Sequence, residues 1–178
     1  MNILLIIVSI LVGLIFLVAI IGWCLPRYTK MQRSIIFNST PEAVFPYLES
    51  LKMFVEHWSP WTDKDANMTA TFNAVESGEG AVYEWKGDRK KVGSGRMSIV
   101  KVFPNEKVET VLEFQGQGQA EVNMIVKPIT ETTVEVVWDF KSDNKNSPVA
   151  RIFGAMMDKF LGPDFEKGLE KLKETVEA

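Results

Sequence analysis

The sequence predicts an α+β protein in which an N-terminal transmembrane helix precedes one domain with an antiparallel sheet and a long C-terminal helix. Three observations predict this. The first 25 residues are almost entirely apolar, and the first charged residue is Arg27. Seven later segments alternate apolar and polar residues, as the strands of a half-buried sheet do. The last segment has the helical period, and the total of 178 residues is enough for one such domain.

The apolar segment runs from Ile3 to Leu25 and is long enough, at about 1.5 Å per residue, to cross a hydrocarbon core of roughly 30 Å. Trp23 lies near its end, where interfacial aromatic residues are common, and Pro26 ends the helix. The segment lacks the basic start, the short apolar core and the small-residue cleavage site of a secretory signal. We therefore assign residues 1–26 to a transmembrane helix, 27–30 to a juxtamembrane linker and 31–178 to the folded domain.

The flanking charges predict the orientation of this helix. No Lys or Arg precedes it, whereas Arg27, Lys30 and Arg33 follow it directly. Positive flanks stay in the cytoplasm. We expect a single-pass protein of the cell membrane with its domain on the cytoplasmic side.

Composition limits the possible functions. A net charge of −3 and a pI near 5.3 argue against nucleic acid as a partner. Cys24 is the only cysteine and His57 the only histidine, so neither a cysteine-based metal site nor a Cys-His pair in the domain can form. The glycines of Gly93-Ser94-Gly95 lack the third glycine and the helix of a dinucleotide loop. We predict no catalytic residue, no metal site and no cofactor.

The elements of the domain follow from the pattern of residues. A strand at 31–37 precedes Thr40-Pro41-Glu42, which is a helix start, and one or two short helices continue to about Trp58. The connections that follow are too short for crossover helices, so the later strands form an antiparallel meander. These strands are predicted at 69–76, 80–86, 93–103, 107–114, 120–127 and 132–140, with Gly116 and Gly118 in the hairpin between the fourth and the fifth.

The strands and the last helix each have a covered face. The last strand alternates Val134, Val136, Trp138 and Phe140 with Glu135, Val137 and Asp139. This alternation predicts that one face of the sheet is exposed to solvent and that the other is covered. The final helix begins after the cap residue Ser147 and runs towards Val176. Its apolar stripe is broad enough to lie across the sheet and consists of Val149, Ile152, Phe153, Met156, Met157, Phe160 and Leu161.

This order of elements resembles the START and polyketide-cyclase superfamily, in whose helix-grip fold a sheet curls around the C-terminal helix. The resemblance covers about residues 31–176, and four segments are similar to those of membrane-anchored bacterial members: Trp58-Ser59-Pro60-Trp61, Tyr83-Glu84-Trp85-Lys86-Gly87, Gly93-Ser94-Gly95-Arg96-Met97 and Leu161-Gly162-Pro163-Asp164-Phe165-Glu166-Lys167-Gly168-Leu169. Members commonly hold an apolar ligand between sheet and helix, although some are enzymes and some regulate other proteins. The resemblance therefore implies a cavity without choosing its use.

Bulky aromatic and methionine side chains are the candidates for the lining of that cavity. They are Trp58, Trp61, Tyr83, Trp85, Met97, Phe114, Met124, Trp138, Phe153, Met157 and Phe160. The same pattern also fits a plain core, and the two tryptophans of the Trp58–Trp61 loop fit either a gate or a plug. We expect a membrane-anchored binding domain for an apolar small molecule or lipid. The alternatives are a cyclase- or hydrolase-type enzyme and a ligand-free scaffold that regulates another membrane protein.

Overall fold

The N-terminal helix is the first element of the computed structural model, which describes residues 3–115 and 118–178. Helix α1 spans Ile3–Cys24 and is long and apolar enough to cross a membrane. Its side chains are exposed over almost the whole length, because the domain covers only its C-terminal end. The predicted apolar helix is confirmed and ends one residue before Leu25.

The domain contains a single antiparallel sheet of seven strands in the order β1-β7-β6-β5-β4-β3-β2. The predicted meander is therefore confirmed, with β1 added beside β7. Of the predicted hairpin at 115–119, Gly116 and Gln117 lie outside the described residues. The strands are β1 (Tyr28–Phe37), β2 (Thr69–Phe72), β3 (Val82–Lys86), β4 (Ser94–Phe103), β5 (Lys107–Phe114), β6 (Gly118–Thr130) and β7 (Thr133–Asp143).

Several strand ends differ from the expected positions, and for two of them the local reason is clear. Strand β1 begins at Tyr28, inside the segment 27–30 that the sequence predicts as a linker, because Tyr28 pairs with Asp143 and the Thr29 hydroxyl accepts a hydrogen bond from Asn144 Nδ2. Strand β2 ends at Phe72 because, at the next residue, the side chain of Asn73 makes hydrogen bonds to the backbone of the neighbouring segment where a regular strand would use its own backbone. Its Oδ1 accepts from the Val82 N–H and its Nδ2 donates to the carbonyl oxygen of Gly80.

Short helical segments join β1 to β2. Helix α2 spans Pro41–Leu48 and α3 spans Leu51–Met53, where the Ser50 hydroxyl caps the Met53 N–H. A π-helical turn then covers Phe54–Trp58 and closes with a 2.7 Å hydrogen bond from the Ser59 N–H to the Phe54 carbonyl. A 3₁₀ turn follows at Thr62–Lys64.

The long C-terminal helix, α4 (Pro148–Glu177), begins at the predicted cap, where Ser147 Oγ accepts from the Ala150 N–H. Its inner face buries Phe165, Leu169 and Leu172. Gly162 also faces inward, and its missing side chain leaves room for the Arg33 guanidinium.

The predicted apolar stripe of α4 does not lie wholly against the sheet, and this part of the prediction is wrong. Ile152, Met157 and Leu161 are half-buried. Val149, Phe153, Met156 and Phe160 are 52%, 62%, 45% and 59% exposed, respectively. Apolar residues at both spacings of three and four cover a wider arc of a helix than one sheet contacts, so the outer edge of the stripe remains uncovered.

Aromatic side chains fill the core where the helical segments meet α4. The Trp138 ring stacks on Phe165 with 4.0 Å between centroids, and Trp58 meets Trp138 edge to face at 5.4 Å. Gly168 makes this packing possible, since a Cβ there would lie 2.6 Å from the Trp138 ring. Within the described residues, the indole nitrogen of Trp138 is a buried side-chain donor without a partner.

The C-terminal end of α1 packs against the first turns of α4. Gly22 is buried against Pro148, and a Cβ on Gly22 would collide with its backbone. Arg151 donates hydrogen bonds to the carbonyl oxygens of Trp23 and Leu25, at 3.3 and 3.4 Å, and its guanidinium lies 4.8 Å from the Trp23 ring centroid. A side chain of the folded domain thus satisfies one carbonyl in the last turn of α1 and the carbonyl of the residue just after it.

Candidate functional site

A cavity of about 320 Å³ lies between the sheet and the middle of α4. Its floor is the inner face of β3, β4 and β5, and its roof is the α4 segment that contains Phe160, Leu161 and Asp164. Phe54 and Trp61 form the side towards the aromatic core, and the loop residues Lys64, Met68, Lys91 and Val92 border the opening.

Aromatic and aliphatic side chains build the floor. Tyr83 and Trp85 stack on one another with 5.6 Å between centroids, and Trp85 meets Phe114 edge to face. Met97 and Leu112 complete the floor from the neighbouring strands. Gly95 is required below the Trp85 indole, because a Cβ there would lie 2.4 Å from a ring carbon.

Two loops at the opening are joined by a buried carboxylate. Asp65 Oδ2 accepts a 2.7 Å hydrogen bond from the Asp88 N–H, and Oδ1 accepts from the Asn67 N–H at 3.2 Å. These backbone donors, the first of them most strongly, hold the pKa of Asp65 below its usual value. Asp65 therefore fixes the hairpin that carries Lys91 and Val92 against the loop that carries Lys64 and Met68.

Two ion pairs among the described residues reach the lining of the cavity, the looser of them between Lys91 Nζ and Asp65 Oδ1 at 3.9 Å and the closer between Lys64 and Asp164. Both carboxylate oxygens of Asp164 lie within 2.7 Å of Lys64 Nζ, and Oδ2 also accepts a 3.1 Å hydrogen bond from Trp61 Nε1. The Asp164 side chain is only 11% exposed, whereas that of Lys64 is 42% exposed. The arrangement closes one side of the cavity with a salt bridge and leaves the ammonium in contact with solvent.

The Tyr83 hydroxyl is the other polar group of the floor. It contacts Met68 Sδ at 3.9 Å. Burial raises the pKa of Tyr83 to about 12, so the phenol keeps its proton even in moderately alkaline solution and can act as a hydrogen-bond donor.

The structure brings together six of the eleven predicted lining residues. Trp61, Tyr83, Trp85, Met97, Phe114 and Phe160 surround the cavity. Trp58 and Trp138 are almost completely buried in the aromatic core, and Met124 is buried on β6. Met157 is half-buried on α4, and Phe153 points to solvent. That these residues contact a ligand stays a prediction.

The two tryptophans of the loop have different positions. Trp58 is 1% exposed and donates from Nε1 to the Tyr47 carbonyl at 3.2 Å, so it plugs the end of the core. Trp61 is half-buried and lines the cavity beside Asp164.

Sequence reasoning missed the charged members of the lining, Lys64, Lys91 and Asp164. Asp164 could have been found, because it lies three residues after Leu161 and four after Phe160 and so interrupts the apolar side of the helix with a carboxylate. The lysines carry no comparable signal, since their positions depend on how two loops fold. In residues 3–115 and 118–178, no group of three or more His, Cys, Asp or Glu side chains is placed to hold a metal ion.

An antiparallel sheet that grips one helix around an apolar cavity defines the helix-grip class of proteins. Residues 28–177 match the family model described as polyketide cyclase/dehydrase and lipid transport. The chain belongs to this family.

Solved structures support the fold at low sequence identity. Protein CV1439 from Chromobacterium violaceum aligns with a TM-score of 0.57 at 12% identity and covers 84% of this chain and 98% of its own. SA2116 from Staphylococcus aureus, a protein of unknown function, aligns with a TM-score of 0.61 at 10% identity. The alignment covers 84% of this chain and 94% of SA2116. A protein from Rhodobacter sphaeroides aligns with a TM-score of 0.58 at 16% identity, and the alignment covers 84% of this chain and 93% of that protein. A search of curated proteins found no match.

Proposed function

We propose that the protein is a membrane-anchored binding domain that holds an apolar small molecule or lipid chain in the cavity between β3–β5 and α4. The observation that carries the proposal is the cavity itself: about 320 Å³ enclosed mainly by aromatic, methionine and aliphatic side chains. Ligand pockets are lined in this way, with a few placed polar groups that orient the ligand. Tyr83 and the Lys64–Asp164 pair are those groups here.

The volume sets the ligand class. It lies at the lower end of the range of about 300–1,000 Å³ that small-molecule pockets occupy. A ring system or part of an acyl chain fits this space, whereas a whole two-chain lipid does not. A larger lipid would therefore leave its polar end outside, near Lys64 and Lys91.

The anchor in this proposal is α1, which crosses the cell membrane and leaves the domain on the cytoplasmic side. A ligand that partitions into the bilayer is concentrated beside a domain that is held there. Capture then requires only a short path from the lipid to the cavity.

The test uses residues 28–178, the portion that the family model matches, because it has no transmembrane helix to take up the probe. Titration with the apolar fluorophore N-phenyl-1-naphthylamine should give saturable binding. Met97→Trp should reduce the affinity by on the order of tenfold or more, because the larger ring occupies space that the probe needs.

Met124→Trp is the matched control. Met97 and Met124 are both buried methionines on the inner face of the sheet, 3% and 4% exposed, but only Met97 lines the cavity. The control should lower stability and leave the affinity of the folded protein unchanged. Equal affinities for wild type and Met97→Trp, or the absence of saturable binding, would contradict the proposal, and a probe analogue returned chemically altered would instead indicate an enzyme.

A further inference from the structure

We propose that the first three turns of α4 lie in the interfacial layer of the same membrane that α1 crosses, with the exposed apolar stripe turned into the lipid. The stripe consists of Val149, Phe153, Met156 and Phe160, and each of these side chains is at least 45% exposed. Their spacings of four, three and four residues place them on one face of the helix, over about 17 Å. This inference rests on the anchoring by α1 that is proposed above.

The junction with α1 places this stripe at the membrane surface. Arg151 binds the carbonyls of Trp23 and Leu25, and Gly22 packs on Pro148, so the first turn of α4 is fixed to the last turn of α1. Val18 and Ala19 are also half-buried, which extends the covered side of α1 about 9 Å back from Cys24. If α1 spans the bilayer, the start of α4 therefore lies at the depth where the span ends.

Charge around the stripe favours a lipid surface as its occupant over a second protein. Lys145 precedes α4 and Lys159 lies beside Phe160; both are exposed, and among the described residues neither side-chain ammonium forms a salt bridge within 4 Å, although the Lys145 backbone N–H binds Asp143. The one acidic residue in this half of the helix, Asp158, is bound to Arg33 at 2.9 Å. An apolar face with cations at its margins is the pattern of helices that lie in an anionic membrane interface.

The stripe also connects the membrane to the cavity. Phe160 is its last residue and at the same time part of the cavity lining, next to Leu161 and Asp164. With the stripe in the interface, the exposed edge of Phe160 in the roof of the cavity meets the lipid surface. An apolar ligand could then pass between bilayer and cavity with little exposure to water, which deepens the proposed function by giving the route of entry.

The experiment measures the depth of the stripe in the full chain. The chain carries Cys24→Ser and one new cysteine, at Phe153→Cys, labelled with the environment-sensitive fluorophore nitrobenzoxadiazole. It is reconstituted into vesicles of phosphatidylcholine and phosphatidylglycerol. The emission should shift to the blue relative to the same label at Glu170→Cys, and lipids with a spin label high on the acyl chain should quench it. Glu170 is the matched control because it is exposed on the far half of the same helix.

A second variant tests the apolar contact itself. With the label at Met156→Cys, the additional change Phe153→Asp should remove the blue shift, because a carboxylate opposes burial in lipid. Phe153 is 62% exposed and does not line the cavity, so the variant should fold and its domain should bind the naphthylamine probe as the wild type does.

The outcomes separate this inference from the proposed function. Flotation of the chain with the vesicles tests the anchor, and titration of residues 28–178 tests the cavity without a membrane. A chain that floats but gives the same unquenched emission at Phe153→Cys and Glu170→Cys overturns the inference and leaves both other results standing. A chain that does not float overturns the anchor on which the inference rests.

Discussion

Asp65 is the residue on which the opening of the cavity depends most directly. Its carboxylate joins the Asp88 and Asn67 backbone N–H groups, and Gly87 is packed so closely that a Cβ there would lie 2.7 Å from Oδ2. The hydrogen bonds are made to the charged form, which is why the pKa of Asp65 is lowered.

Replacement of Asp65 should therefore produce a destabilisation that depends on pH. A carboxyl group with a lowered native pKa stabilises the fold fully above its unfolded pKa of about 3.9, and this contribution is lost as the pH falls through the lower native value. Asp65→Asn should lower the urea midpoint at about pH 7, and the gap to the wild type should narrow towards about pH 3.

Glu131→Gln, at an exposed carboxylate in the turn between β6 and β7, is the control and should leave the midpoint almost unchanged. A gap for Asp65→Asn that is as wide in acid as at neutral pH would show that the charge of Asp65 contributes nothing to the junction of the two loops.

At the scale of elements, the packing of α4 on the sheet depends on two glycines, which have no side chain, as much as on apolar residues. Gly168 lies against Trp138, whose ring is fully buried between Phe165 and Trp58. The inward-facing Gly162 admits the Arg33 guanidinium, which binds Glu166 at 2.6 Å and so ties α4 to β1.

Gly168→Ala tests the close approach of α4 to the sheet. Alanine favours a helix over glycine by about 1 kcal/mol. In contrast, the new methyl group needs space that the Trp138 ring occupies, and overpacking costs about 1–3 kcal/mol. The free energy of unfolding should therefore fall, by on the order of 1 kcal/mol, as measured by urea denaturation of residues 28–178.

Glu170→Ala, on the exposed side of the same helix, is the matched control and should leave stability unchanged or slightly higher. An increase in stability for Gly168→Ala would mean that the ring can move aside without cost.

The sequence predicts most of the helices and strands, but it predicts the lining of the cavity only in part. Alternation predicts β5 at both of its ends, since Val108, Thr110 and Leu112 each face the core. Periodicity cannot say which inward residues touch empty space, so Met97 and Met124 look equivalent although only Met97 lines the cavity. Periodicity also cannot show where α1 lies relative to the domain. The exposure of Phe153 could not be predicted either, because it depends on how much of α4 the sheet covers.

For the whole molecule, the proposed orientation of α1 across the membrane would decide which side of the membrane supplies a ligand to the cavity. Arg27, Lys30 and Arg33 follow α1, and the residues before it include no Lys or Arg. The cytoplasmic placement of the domain that this bias predicts can be tested without knowledge of the ligand.

Fusions at Ala178 give the measurement. A fluorescent protein that matures in the cytoplasm should be bright there, and an alkaline phosphatase that is active only outside the cytoplasm should be inactive. Fusions of the same two reporters ahead of Met1 are the control and should show the opposite pattern. An active phosphatase at Ala178 would reverse the orientation and place the cavity on the outer side.

The ion pairs of Arg27 and Arg33 suggest two successive roles for these cations in the proposed topology. Arg27 binds Asp143, and Arg33 binds Asp158 and Glu166, all of which lie more than 100 residues later in the chain. If α1 is inserted during synthesis, as the proposed anchor implies, those carboxylates have not yet been made, so both arginines would be unpaired and could direct the helix. Folding then pairs them with carboxylates, and the charges that would orient the chain in the proposed topology also hold β1 to β7 and α4.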